Sequence, residues 1–231
     1  MRKIALTLLL FPMLFANAKQ PDLVKYVNTL QGTNSSFELT RGNTYPTTAL
    51  PFAMHTWTPQ TGRNGDGWKY QYQKDSIRSF QQAHQCSSWT NDYCVFSLMP
   101  ITGNLVVDQF KRAAKFSHSN EIAKPNYYKV TLDNRITTEI SPVERGAHLR
   151  FSFPKGASYL VLDGYTGLSN VKIIPAENKV IGFIRNGRGL TENFRNYFVI
   201  QFDKPIRGFG TWEGRTGEIH DGEAEREGRG V

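Results

Sequence analysis

The 231-residue chain is 39% hydrophobic and 21% charged, a composition that supports a folded core and excludes a disordered chain. Its formal charge of +8 is scattered along the sequence rather than gathered into runs, which argues against a nucleic-acid-binding role. Aromatic residues reach 13%, mostly Phe and Tyr, and favour strands or a surface that faces flat ligands.

In chain order the first element is a leader. Arg2 and Lys3 precede an apolar run from Ile4 to Phe15, and Ala16-Asn17-Ala18 follows as a small-x-small cleavage site. The run is too short for a bilayer, which takes about 20 residues, and no second one follows. Residues 1–18 are therefore predicted to be a secretory signal peptide cleaved near Ala18. The protein is exported on this reading, to a periplasm or the outside. Without Arg2 and Lys3 the chain keeps 26 cations against 20 anions, a mildly basic surface.

Residues 19–231 read as one domain. Leu23, Val24, Val27 and Leu30 recur at helical spacing and stop at Gly32, predicting one short helix. From about residue 33 to 94 the sequence is rich in Gly, Asn, Thr, Gln and aromatics without sustained period. Irregular stretches of that length in a domain are usually functional, so site residues should concentrate there. From about 95 to 212 strand patterns succeed one another. Ile136, Thr138 and Ile140 share a face after a turn at Asn134; "GAHLRFSF", "SYLVLDG", "NKVIGFI" and "YFVIQF" follow. The fold class this predicts is all-β, an antiparallel β-sandwich. The closing stretch "GRTGEIHDGEAEREGRGV" shows no strand pattern, and the domain reads as truncated there.

The densest chemistry is "HQCSSWTNDYC", residues 84–94. The indole of Trp89 offers a flat apolar face to the C–H side of a pyranose, and Asn91 and Asp92 offer directional partners for its hydroxyls. The alternative is a core Trp89 and a turn-capping Asp92. His84 could contact a sugar hydroxyl or serve structurally; as a lone histidine it makes no metal site. Cys86 and Cys94, in an exported chain, can form a disulfide around this loop or remain two buried thiols. In "RGNTYP" Gly42 allows close backbone approach, and Asn43 can bond a ligand or its own turn. "GDGWKYQY" lacks the regular oxygen ligands of a calcium loop. Glu38, Asp66, Asp92 and Glu139 are carboxylates available in principle for glycoside hydrolysis, with spacings a sequence does not give. Serine-hydrolase, zinc-protease, P-loop and dinucleotide-binding motifs are absent from the sequence.

The blocks "VNTLQGT", "RGNTYPTTALPFAMHTWTPQTG", "DSIRSFQQAHQCSSWTNDYCVFSLMPITG" and "GFGTWEGRTGEIHDG", in this order, resemble the amino-terminal domain of glycoside hydrolase family 92, the exo-acting α-mannosidases. The resemblance implies an amino-terminal β-sandwich beside a carboxy-terminal (α/α)6 barrel that carries the catalytic acid and base. It also implies an inverting, calcium-dependent enzyme acting on mannose-containing glycans, with most Ca2+ ligands outside this chain. The present chain alone is then expected to be inactive, with no catalytic or metal-ligating residue of its own. Trp89 matches the tryptophan that α-1,2-specific members direct into the substrate pocket, with Asn91, Asp92 and His84 as its matching neighbours. Cys86 and Cys94 stand where those members have Pro and Gly, which favours a clamped loop. The competing expectation is a free-standing carbohydrate-binding module with Trp57, Trp68 and Trp89 as a stacking face.

Overall fold

β-Branched and aromatic residues in short alternating runs, punctuated by Gly, Pro and Asn, leave little for the backbone to do but pair as strands. The computed structural model describes residues 21–36, 38–39, 44–62, 69–84, 96–164, 167–185, 191–214 and 216–229. The predicted leader, 1–18, lies outside the described residues. No helix among them is long and apolar enough to cross a membrane.

The predicted short helix is a single 3-10 turn, Leu23–Tyr26, capped by Asp22. It is shorter than the apolar spacing suggested because none of its side chains is buried, and an isolated turn without a packed face does not propagate. The all-β expectation holds. Fifteen strands follow among the described residues: β1 (Thr56–Gln60), β2 (Ser76–Ile77), β3 (Ser79–Ala83), β4 (Ser97–Thr102), β5 (Ala114–Lys124), β6 (Tyr127–Leu132), β7 (Thr137–Val143), β8 (Gly146–Ser152), β9 (Ser158–Asp163), β10 (Leu168–Ile174), β11 (Lys179–Arg185), β12 (Asn196–Gln201), β13 (Gly210–Trp212), β14 (Ile219–Asp221) and β15 (Glu225–Arg229). They form antiparallel sheets of order β1-β3-β4-β9, β2-β5-β6-β7-β8 and β12-β11-β10-β15, with β13-β14 as a ribbon.

The β6–β7 hairpin follows the sequence closely. Asn134 Oδ1 accepts from the Ile136 amide at 3.1 Å, Arg135 takes a left-handed φ of 67°, and Ile136, Thr138 and Ile140 are all fully buried. Two stretches depart from expectation. The segment 33–94 contains β1, β2 and β3, whose alternation is invisible because β1 and β3 are buried at nearly every position. Pro59 is tolerated in β1 because that strand is a sheet edge. The tail also pairs: β15 runs antiparallel to β10, with Lys172 and Glu225 in contact at 2.8 Å. Its strand pattern is charged rather than apolar, which is why hydrophobic periodicity missed it.

The β1-β3-β4-β9 sheet touches both the five-stranded and the other four-stranded sheet. Phe80 on β3 meets Tyr128 on β6 with ring centroids 6.3 Å apart, and Phe96, just before β4, stacks on Phe198 of β12 at 4.9 Å. Gly182 on β11 makes room for that stack, since a Cβ there would lie 2.8 Å from Phe198 Cζ.

One row across this sheet is polar and buried: Thr58, Gln81, Ser97 and Asp163 are successive cross-strand partners. The fully buried Arg112 ends the row, donating two hydrogen bonds to the Asp163 carboxylate and one to the Val107 carbonyl at 2.6 Å. Burial pulls its guanidinium down to about 10, so it stays charged at neutral pH. Removing one partner of a buried pair strands the other charge. The variant Asp163→Ala is expected to lose about 3 to 5 kcal/mol of stability in urea denaturation, and an unchanged midpoint would contradict this role.

Candidate functional site

The site is built where β1 begins and β3 ends. The register pairs Trp57 with Gln82 and Thr56 with Ala83, so one residue further it sets His55 opposite His84. Their ring centroids are 6.2 Å apart. Period-two alternation puts His55, Trp57, Gln82 and His84 on one face of the sheet. Phe96 closes that face edge-on to Trp57 at 5.8 Å, and Asn196 of β12 reaches across to His84, Nδ2 to Nε2 at 3.4 Å. Segment 85–95 departs and returns here, between His84 and Phe96.

This floor holds three buried polar atoms that find no hydrogen-bond partner among the described residues: Nε2 of His55, Nε1 of Trp57 and Oε1 of Gln82. Buried polar groups in folded proteins are nearly always paired, with water or a ligand if not with protein. Burial, then the nearby His84, hold the His55 imidazole below its ordinary range, while a hydrogen bond to the Gly146 backbone acts the other way. With Nε2 unpartnered, that bond belongs to Nδ1, leaving Nε2 of the neutral ring as a bare acceptor. The indole can only donate, and the Gln82 oxygen can only accept. A group that both donates and accepts, a water or a hydroxyl, would match this set.

A second cluster of titratable side chains lies at the β5 bulge. Between Phe116 and Glu121 the β5–β6 register shifts, a bulge that turns both His118 and Glu121 inward. The buried Glu121 carboxylate accepts from Tyr70 at 3.0 Å and from Tyr128 at 2.7 Å, and meets His118 Nδ1 at 2.8 Å. His118 also stacks on Tyr72 with rings 3.8 Å apart, and its Nε2 faces the Tyr72 carbonyl at 2.8 Å. Burial, reinforced by the Glu121 charge, pushes both tyrosines up. Every oxygen of Glu121 is engaged, so the cluster is a clasp tying β5 and β6 to the segment 69–72.

Of the residues singled out in the sequence, His84 is exposed at the rim of the floor. Trp89, Asn91, Asp92, Asn43, Cys86 and Cys94 lie outside the described residues, as do Trp68 and Asp66. Trp57 corrects one expectation: at 4% exposure, packed on Phe96, it cannot belong to an exposed stacking face. Glu139 is committed to Arg150 (2.6 Å) and Tyr127 (2.5 Å), Arg150 foremost, which bring its carboxyl down to about 2. No general acid has that value at neutral pH. No three His, Cys, Asp or Glu side chains converge on a cation site among the described residues. Sequence reasoning missed His55, Gln82 and Asn196. His55 and Gln82 were findable only by pairing the strands that hold them, and Asn196 only by packing two sheets.

Residues 26–231 match the Glycosyl hydrolase family 92 N-terminal domain. Among solved structures, the family GH92 inverting mannosidase BT2199 of Bacteroides thetaiotaomicron is 42% identical with a TM-score of 0.85, over 90% of this chain and 28% of that one. The family GH92 α-mannosidase BT3965 of the same organism is 22% identical with a TM-score of 0.73, over 91% of this chain and 30% of that one, a likeness of fold. The chain thus spans less than a third of the length of either. No curated protein matches.

The depressed His55 fixes a sign. The unfolded chain takes up this proton near pH 6.5 while the folded one does not, so the stabilisation is complete above that pH and is lost as the pH falls below it. Denaturation midpoints measured from pH 8 to 5 should fall more steeply for the parent chain than for His55→Asn, and parallel curves would count against a buried neutral imidazole.

Proposed function

Because this chain belongs to the family of glycosyl hydrolase family 92 N-terminal domains, we propose that it is the amino-terminal part of an exported, calcium-dependent, inverting α-mannosidase selective for α-1,2 linkages. The observation that carries the reading is 42% identity over 90% of the chain to an enzyme described as an inverting mannosidase. The neutral, hydroxyl-matching floor of His55, Trp57 and Gln82 supports it, since mannose offers hydroxyls and no charge.

In this reading the chain binds and orients while another domain handles protons. Inversion needs an acid at the departing oxygen and a base on the far side of the ring, with carboxyls roughly 6.5–9.5 Å apart to admit water. The described carboxylates with shaped environments are spoken for: Glu121 by two tyrosines and a histidine, Glu139 by Arg150, Asp163 by Arg112. Trp89 in segment 85–95 supplies an apolar platform for the sugar, Asn91, Asp92, Asn43 and His84 supply hydroxyl contacts, and a Cys86–Cys94 bridge holds the segment. A calcium ion, held by ligands mainly outside this chain, would polarise the sugar hydroxyls and water.

Mannose release from α-1,2-mannobiose tests this directly. The longer polypeptide is expected to hydrolyse it and to stop when calcium is chelated, while residues 19–231 alone release none; release by this chain alone would refute the division of labour. In the longer polypeptide Trp89→Ala should lower kcat/KM about tenfold or more, equivalent to ~1.4 kcal/mol. The exported form should begin near Lys19 on amino-terminal sequencing.

A further inference from the structure

Residues 50–54, Leu-Pro-Phe-Ala-Met, form a knuckle that costs the isolated domain free energy. The Ala53 amide bonds the Leu50 carbonyl at 3.2 Å, closing a turn with Pro51 second and Phe52 third. Phe52 has φ 60°, at the position where such a turn ordinarily takes glycine. A bulky side chain in the left-handed region is strained, and here the ring recovers nothing by burial, being 103% exposed. Leu50, Met54 and Val143 beside it are exposed as well.

This is not a loose loop. The Ala49 amide bonds the Pro125 carbonyl at 2.7 Å, the Met54 amide bonds the Glu144 carbonyl at 3.1 Å, and Thr48 exchanges two backbone bonds of 2.9 Å with Trp57. The knuckle is pinned to two hairpins of the β5–β8 sheet and runs directly into His55, the buried end of the floor described above. An apolar, strained and rigid projection at the rim of a site is the signature of a contact surface.

We infer that the Leu50–Met54 knuckle docks into the second domain of the same polypeptide, seating Phe52 in an apolar recess of that domain and so closing the sugar site from its His55 side. The inference rests on the functional reading above. It commits to that occupant because this chain spans only 28% and 30% of the two mannosidases it matches, which leaves most of such a protein to lie against it. The knuckle also adjoins a floor on which three buried polar atoms find no partner among the described residues.

Methionine oxidation by hydrogen peroxide, read by mass spectrometry, tests it with an internal standard. Met54 is 65% exposed and Met99 fully buried. In residues 19–231 Met54 should oxidise near the rate of a free methionine and Met99 hardly at all; in the longer polypeptide Met54 should slow at least tenfold. Equal Met54 rates in the two forms would overturn the inference. So would concentration-dependent protection in the short form, which would give the knuckle to a second copy. The variant Phe52→Gly relieves the backbone, so it should raise the Tm of residues 19–231 by a few degrees, about 2–4 °C, yet speed Met54 oxidation in the longer form. A lower Tm in the short form would mean that Phe52 serves this domain alone and would also overturn the inference. Mannose release is read separately, so failure here leaves the functional reading standing.

Discussion

The aromatic column Trp57, Phe96 and Phe198 is the contact on which the rest of the site depends. Phe96, the residue before β4, meets Trp57 edge-on and stacks on Phe198, so β1 and β12, from two sheets, are held against one another through it. Large rings contribute both area and geometry, and a pair in this arrangement is worth about 0.5–1.5 kcal/mol beyond its burial. Through the column, the pairing that sets His55 against His84 and the reach of Asn196 to His84 become consequences of packing rather than separate features. Gly182 is part of the same device, because any side chain there would meet the Phe198 ring.

Around this column the fold distributes charge in a consistent way. Carboxylates in shaped surroundings are saturated: Asp163 by the buried Arg112, Glu121 by Tyr70, Tyr128 and His118, Glu139 by Arg150 and Tyr127. Such groups hold strands together, and fully satisfied networks of this kind stiffen the parts they join. Three of the seven unpartnered buried polar atoms among the described residues, by contrast, sit on neutral groups at the floor of the site, and the other four, on Thr29, Gln81, Thr138 and His220, lie apart from it. This distribution of charge supports the proposed division of labour, in which acid–base work falls to other residues.

Strands β7, β8, β9, β11 and β12 were legible in the sequence through their alternation, as in Thr138 and Ile140 of β7, buried between less buried neighbours. β1 and β3 were not, because burial on both sides removes alternation and their interior positions carry Thr, Gln and Ser. β15 was hidden for the opposite reason: its pattern is one of charges that pair with β10 and with Glu223 rather than of apolar residues. Of the site residues named from the sequence, only His84 lies among the described residues, exposed beside His55. The sequence could not point to His55, Gln82 or Asn196, which matter only through cross-strand register and sheet packing. Trp57 shows the converse, a tryptophan that looked like a ligand platform and is core.

The central claim is that the floor formed by His55, Trp57 and Gln82 belongs to one wall of a sugar site completed by another domain. A crystal structure of the longer polypeptide with a mannose-configured inhibitor measures this most directly. The account predicts the sugar against segment 85–95, with the His55–Gln82 floor behind it and the catalytic carboxyls contributed from outside residues 19–231. A sugar bound away from this floor, or held between two carboxylates of this chain, would contradict it.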